Sequence, residues 1–188
     1  PCLKHRIVQF LKIIAPRSKP EELIKFHTRK DQSIWSAYNL TKDIDQLFSN
    51  HVRLKCGGYL IIEEMETLTA IDVNTGRNIG GKSQEENIVE TNLEAAVEIP
   101  RQLRLRQIGG IIVIDFIDMR LKRNQDRVFK VMERELAKDR TPSDIQQFTD
   151  LGLIQITRQR VGQSLTRRLT YTCAHCKGSG RLPSIKLD

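Results

Sequence analysis

The sequences LTAIDVN at residues 68–74 and GGIIVID at residues 109–115 decide the fold of this chain. Each is rich in β-branched and aliphatic residues, as strands are. Residues 85–107 between them repeat apolar side chains at helical spacing, and a strand, helix, strand crossover normally makes its two strands parallel in one sheet. The sequence therefore predicts an α/β fold with a mixed sheet flanked by helices.

The flanking segments extend this sheet. Residues 59–62 are separated from the strand at 68–73 by the acidic turn 63–67, which predicts an antiparallel hairpin. The β-branched run 111–114 is typical of a central strand buried on both faces. Pro100 is expected to kink the crossover helix or end its first half. Further helices are predicted at 5–15, 33–50 and 122–138, and short strands at 23–26 and 153–156.

Composition limits the class of protein. The 188 residues carry 31 Lys and Arg against 23 Asp and Glu, a formal charge of +8, and their basic outer thirds flank an acidic middle third. This pattern indicates a polyanion held around a carboxylate cluster, although solvated helix faces would give the same pattern. No apolar stretch approaches the roughly 18 residues of a membrane helix. Four sparse cysteines favour a reducing compartment, so we expect a cytoplasmic protein, with Pro1 an internal start of a longer chain.

Two aspartates lie where the central strands end. Because Asp72 and Asp115 leave neighbouring parallel strands, we expect them at the same sheet edge, placed to share a hard cation such as Mg²⁺. Asn74 lies two residues after Asp72 on the same side of the strand and could hold that carboxylate in a ligating orientation. Asp118 is a weaker extra candidate. The alternative is that these acids are ordinary cap or turn residues.

Residues 76–83 match the phosphate-binding pattern G-x-x-x-x-G-K-[ST] after a strand and before a helix. A nucleotide hydrolase that uses Gly76–Ser83 and Asp115 is therefore the sharpest rival hypothesis. Against it, Glu85 and Glu86 follow the loop directly and would repel a triphosphate. A flexible glycine-rich loop beside the active edge is the simpler interpretation.

Cys173 and Cys176 form a Cys-x-x-Cys unit followed by glycines, which is typical of half a zinc site. Tetrahedral Zn²⁺ needs four ligands, and neither Cys2 nor Cys56 forms a second such unit. A second protomer would have to supply the same pair again, which predicts a zinc-linked homodimer or higher homo-oligomer.

Several short motifs follow one another along the chain. They are LTAIDVNTGR at 68–77, TNLEAA at 91–96, RQLRLR at 101–106, GGIIVIDFIDM at 109–119, LGL at 151–153, TRQR at 157–160, the cysteine pair, and GSG at 178–180. This series resembles the catalytic core of the ribonuclease E/G family, and the resemblance runs from about residue 40 to residue 181.

The resemblance implies a Mg²⁺-dependent endoribonuclease that cleaves single-stranded RNA in RNA processing and decay, including rRNA maturation and mRNA turnover. Its products would carry a 5′-phosphate and a 3′-hydroxyl. The implied organisation is a partial RNase H-like or connecting segment at 1–56, a DNase I-like catalytic subdomain at 57–165, and a zinc-link with a tail at 166–188.

The resemblance also implies roles for single residues. Asp72 and Asp115 fall on the family's metal-binding aspartates, and Asn74 falls on its carboxylate-orienting asparagine. Cys173 and Cys176 fall on the zinc-link cysteines that protomers share. Five arginines could contact RNA phosphates, although arginines on a helix face are usually solvated: Arg101, Arg104, Arg106, Arg158 and Arg160.

The resemblance is partial. The 188 residues contain no counterpart of the family's OB-type RNA-binding domain or its 5′-end-sensing domain. Pro142 lies where a more basic stretch is expected. A non-catalytic RNA-binding remnant therefore stays open as a third hypothesis, beside the endoribonuclease and the nucleotide hydrolase.

Overall fold

The structure is a computed structural model that describes residues 3–17, 19–24, 27, 33–38, 40–76, 83–149 and 151–182. The chain divides into two compact units, Pro1–Ile44 and Asp45–Asp188. The predicted boundaries after residues 56 and 165 stay predictions. None of the described helices is both long and apolar enough to cross a membrane.

The first unit is helical. Helix α1 spans Leu3–Ile14, which confirms the helix predicted at 5–15. The strand predicted at 23–26 is wrong at Leu23, because Pro20 and two glutamates begin the short helix α2 (Pro20–Leu23); residues 25 and 26 lie outside the described part. The helix predicted at 33–50 is two helices, α3 (Ile34–Ala37) and α4 (Leu40–Phe48), the second of which crosses the unit boundary.

The second unit is built on one six-stranded mixed sheet. Its strand order is β1-β2-β3-β4-β6-β5, with β3 and β4 parallel and every other neighbouring pair antiparallel. The predicted hairpin and the predicted parallel crossover are both confirmed. The strands are β1 (His51–Arg53), β2 (Tyr59–Glu64), β3 (Leu68–Asn74), β4 (Gly110–Asp115), β5 (Ser143–Ile145) and β6 (Leu153–Arg158).

Helix α5 (Gln84–Arg106) makes the crossover from β3 to β4. It begins with a capping box, in which the Ser83 hydroxyl accepts a hydrogen bond from the Glu86 N–H while the Glu86 carboxylate accepts one from the Ser83 N–H. It ends at Gln107, whose φ of +55° is left-handed. Pro100 is buried within the helix and does not end it.

The hydrophobic core lies on one face of the sheet. Alternate side chains of the strands point to this face, where α5 and α6 (Lys122–Leu136) cover them. A short helix, α7 (Leu165–Leu169), follows the last strand. The buried core includes Leu60, Ile62, Ile71, Val73, Ile112, Ile114, Ile154 and Ile156 from the strands, Ala95, Ala96, Ile99 and Leu103 from α5, and Val128 and Met132 from α6.

Within the described residues of the second unit, no helix covers the opposite face of the sheet, which is called the open face below. Ile111 is 46% exposed and Val113 is half-buried, so the prediction that this strand is buried on both faces is wrong. The two helices that cover the sheet pack on the same side, and an Ile-Val run does not reveal which of its faces is covered. This open face carries the candidate active site.

Candidate active site

Asp72 and Asp115 are lateral neighbours across the parallel pair of strands. The register of β3 and β4 pairs Asp72 with Asp115 directly. Both residues lie on the open face, and both are exposed. Since neighbouring strands are about 4.8 Å apart, the two carboxylates project side by side. The structure thus brings together the two acids that the sequence predicted at one sheet edge.

Asn74 is joined to this pair. Strand β3 continues through Asn74, so its side chain lies on the same face as that of Asp72. The Asn74 Nδ2 donates a hydrogen bond of 2.7 Å to the Asp72 Oδ2. This contact fixes one oxygen of Asp72, and no described residue forms a hydrogen bond with the other. It is the contact that the predicted orienting role of Asn74 requires.

The carboxylates crowd one another electrostatically. The pKa of Asp115 lies above its usual value because the side chain is partly desolvated and because Asp72 and Asp118 add negative charge nearby. Among the described residues, no group of three or more His, Cys, Asp or Glu side chains is gathered closely enough to hold a metal. The site is therefore a carboxylate pair with a third acid in its field.

A buried asparagine holds the loop that follows Asp115, and sequence reasoning missed it. Asn92 of α5 is fully buried, and its amide pairs with both backbone groups of Ile117: its Nδ2 donates to the Ile117 O at 2.7 Å and its Oδ1 accepts from the Ile117 N at 3.2 Å. Ile117 lies between Asp115 and Asp118. The signal was a polar residue on the core stripe of α5, one helical turn before Ala95 and Ala96.

A second residue of α5, Glu94, anchors the turn between β1 and β2 and was also missed. Its carboxylate accepts hydrogen bonds from the backbone N–H groups of Lys55 and Cys56. Burial raises the pKa of Glu94, but hydrogen bonds from the Cys56 thiol and from these two N–H groups lower it below the usual value. This turn lies against the end of β3, where a Cβ on Gly58 would approach the Asn74 carbonyl oxygen to 2.8 Å.

The rival nucleotide loop falls mostly outside the described residues, which include only Gly76 and Ser83 of the eight. The hydroxyl of Ser83, which a phosphate loop would offer to a metal, caps α5 instead. It accepts from the Glu86 N–H at 3.3 Å and donates to the Glu86 carboxylate at 2.8 Å. In this structure the Ser83 hydroxyl therefore caps the N-terminus of α5.

Two of the five arginines proposed to contact RNA are buried. The Arg158 guanidinium bonds to the Asp139 Oδ2 at 2.9 Å and to the Ile108 O at 2.6 Å. Arg106 is 4% exposed, and its guanidinium bonds to the Gln102 side chain and to the Ser49 O. Because both side chains are buried and their donors already bond to acceptors of the protein, the geometry argues against phosphate contacts by Arg106 and Arg158.

The other three arginines differ in exposure. Arg101 is exposed but pairs with Glu98 at 2.7 Å, and Arg104 is partly buried beside α6. Arg160 is exposed, and its guanidinium lies over Gly110 at the start of β4. That position is about 17 Å along β4 from Asp115, at the opposite end of the strand. None of the three lies beside the carboxylate pair.

The cysteine pair forms a tight turn near the end of the described chain. The Lys177 N–H donates to the Cys173 O at 2.8 Å, and Lys177 and Gly178 have φ values of +51° and +90°. The pKa of Cys173 lies below its usual value because the N–H groups of Cys176 and His175 point at its sulfur. N–H groups that approach a sulfur in this way stabilise its thiolate form, and the zinc site predicted for this pair stays a prediction.

Two strand-borne carboxylates on an open sheet face, with an amide to orient one of them, are typical of metal-assisted hydrolases. A sequence model of the Ribonuclease E/G family matches residues 3–161, and the chain belongs to this family. It is 40% identical over 160 residues to ribonuclease G of Salmonella typhimurium, an alignment that covers 85% of this chain and 33% of the relative.

Two other relatives from the same family have similar identities to this chain. Ribonuclease G of Haemophilus influenzae is 42% identical over 156 residues, covering 83% of this chain and 32% of that protein. Ribonuclease E of Nostoc is 40% identical over 181 residues, covering 95% of this chain and 26% of that protein. The chain thus spans between a quarter and a third of the length of these curated relatives.

Proposed function

We propose that this chain carries the catalytic centre of a metal-dependent endoribonuclease that cleaves single-stranded RNA. The observation that carries the proposal is the direct lateral pairing of Asp72 with Asp115, with Asn74 bonded to Asp72, in a chain of the ribonuclease E/G family. RNA processing and decay, including rRNA maturation and mRNA turnover, is the corresponding role. The products would be a 5′-phosphate and a 3′-hydroxyl.

The residues at the site fit Mg²⁺. Two exposed carboxylates side by side provide the hard oxygen ligands that this ion takes. Partial burial and the charges of Asp72 and Asp118 raise the pKa of Asp115, and a cation would offset those two charges. When bound, Mg²⁺ supplies a Lewis acid that polarises a phosphate oxygen and lowers the pKa of water. Asp72 and Asp115 would hold the ion, and Asn74 would keep Asp72 in its ligating orientation.

The open sheet face suits an extended substrate. A single strand of RNA can lie across exposed strands, whereas a deep pocket would admit only a terminal nucleotide. The carboxylates by themselves repel phosphates, so RNA binding at the pair requires the cation.

The second part of the proposal concerns assembly. Cys173 and Cys176 would bind Zn²⁺ together with the same pair from a second protomer, giving a homodimer or a higher homo-oligomer. The support is the turn geometry and the N–H groups directed at the Cys173 sulfur. Zinc here would be structural, since four cysteine ligands leave no coordination position open for water or substrate.

Cleavage of a labelled single-stranded RNA oligonucleotide in Mg²⁺ tests the proposed activity. Asp115→Asn should slow cleavage at least about a hundredfold, because several kcal/mol of transition-state stabilisation depend on the metal. The matched control is Asp144→Asn, an exposed aspartate on the edge strand β5, which should cleave normally. Undiminished cleavage by Asp115→Asn would refute the catalytic assignment, and binding without any cleavage would favour the non-catalytic remnant.

A further inference from the structure

The open face continues past the carboxylates onto β2 and then onto β1, the edge strand of the sheet. The register places Tyr59 opposite Asn74 on one side and opposite Arg53 on the other. His51 lies in the neighbouring row, opposite Ile61, which in turn is paired with Asp72. Tyr59 therefore lies one strand spacing, about 5 Å, from Asn74, and Arg53 lies two strand spacings, about 10 Å, from Asn74.

Two rings form a platform at this edge. The rings of His51 and Tyr59 are stacked, with centroids 5.9 Å apart and planes 23° from parallel. His51 is exposed and Tyr59 is half-buried, so the pair presents an aromatic surface on the open face. The Asn50 side-chain oxygen accepts a hydrogen bond of 2.7 Å from the Nδ1 of His51 and steadies its ring.

A cation lies beside the platform. Arg53 is exposed, and within the described part of the chain no carboxylate pairs with its guanidinium. On the same face, the acid of β2 is Glu63, which lies toward the opposite end of the strand and is paired with Ala70. The edge near Tyr59 is therefore the basic and aromatic side of the acid pair.

We propose that Tyr59, His51 and Arg53 form a nucleotide subsite that holds single-stranded RNA next to the cleavage site. A base stacks on the rings of Tyr59 and His51, and the guanidinium of Arg53 contacts a phosphate of the same strand. Stacking tolerates any base, which suits a substrate recognised as a single strand. The subsite deepens the proposed function and rests on it for the identity of the ligand as RNA.

Binding of a fluorescent single-stranded RNA to the full chain tests the subsite. An Asp115→Asn background, in which cleavage should be at least about a hundredfold slower, limits cleavage during the measurement. Tyr59→Ala should weaken binding by about fivefold to a hundredfold, the loss expected for one stacked base, whereas Tyr59→Phe keeps the ring and should stay within about twofold. Tyr38→Ala, at an exposed tyrosine of the first unit, is the matched control and should bind normally.

The salt dependence of binding isolates the role of Arg53. Arg53→Ala should reduce the slope of log K against log salt by about 0.7, the value for one phosphate contact on a single strand. Arg134→Ala, an exposed arginine on α6, should leave the slope unchanged. Unchanged binding by Tyr59→Ala in a chain that melts normally would overturn the proposal, and so would an equal loss in Tyr38→Ala.

A photocrosslink keeps the test decisive if the Tyr59 variants fail to fold. RNA containing 4-thiouridine should crosslink to residues 51–59 of the chain with its native Tyr59, and crosslinks confined to other segments would overturn the subsite. Failure of the two proposals can be told apart. If the chain cleaves RNA but the Tyr59 and Arg53 variants bind RNA normally, only the subsite proposal fails. If the chain binds RNA through Tyr59 but does not cleave it, only the proposed activity fails.

Discussion

Replacing Asn92 with Ala should destabilise the protein far more than its small change in side-chain size suggests. The Asn92 side chain is fully buried and satisfies both backbone groups of Ile117, with distances of 2.7 and 3.2 Å. Alanine would leave the partly buried N–H and C=O groups of Ile117 without this partner. Each such group costs about 1–3 kcal/mol, so we expect a loss of about 2–6 kcal/mol in the free energy of unfolding.

Urea unfolding followed by circular dichroism measures this loss. Gln84→Ala, at an exposed amide on the same helix, is the control and should change stability by no more than about 0.5 kcal/mol. Because Ile117 lies between Asp115 and Asp118, Asn92→Ala should also raise the Mg²⁺ concentration needed for cleavage. A loss below about 0.5 kcal/mol for Asn92→Ala would refute the argument that its two hydrogen bonds hold this loop.

An Asn92→Asp variant tests the same contact with almost no change in shape. The introduced carboxylate would face the Ile117 carbonyl in a buried site, so its pKa in the folded state should be raised. A raised folded pKa means that the variant loses stability as the pH rises above about 4 and regains it in acid. A variant whose stability deficit is the same at acidic and neutral pH would contradict the buried geometry.

Two further predictions concern residues away from the carboxylates. Arg158→Met should cost about 3–5 kcal/mol at neutral pH, because it strands the buried carboxylate of Asp139, whose side chain is 6% exposed. Burial raises the pKa of Asp139, but hydrogen bonds from Thr141 and Arg158 lower it below its usual value. The pair therefore stabilises the fold above about pH 4, and the loss of stability in Arg158→Met should shrink in acid. A loss of stability that does not depend on pH would contradict the pairing. Cys173→Ser should convert a zinc-containing dimer to a zinc-free monomer in native mass spectrometry, and a zinc-free dimer of the unaltered chain would reject the shared site.

The sheet and its acid pair were accessible from the sequence because they follow from short-range patterns. Alternating and β-branched runs identified the strands, and the crossover rule made β3 and β4 parallel. Once those strands are parallel neighbours, Asp72 and Asp115 must lie at one edge. Asn74 followed because side chains alternate along a strand.

What the sequence did not reveal depends on contacts between distant segments. In the sequence, Arg106 and Arg158 resemble solvated surface cations. In the structure, the Arg106 guanidinium bonds to Ser49, 57 residues away, and the Arg158 guanidinium bonds to Asp139, 19 residues away. Asn92 and Glu94 were missed because their acceptors and donors are backbone groups of loops, which carry no side-chain signature. The open face of β4 was missed because coverage depends on where both helices pack.

The central claim is that Asp72 and Asp115 together hold a divalent cation. Titration of Mn²⁺, as a substitute for Mg²⁺, into the full chain with the free ion followed by electron paramagnetic resonance tests it most directly. The double variant Asp72→Asn/Asp115→Asn should bind one ion fewer than the unaltered chain, while Asp126→Asn/Asp144→Asn, with the same change in charge, should bind as many. Equal Mn²⁺ binding by the unaltered chain and by the Asp72/Asp115 variant would contradict the account.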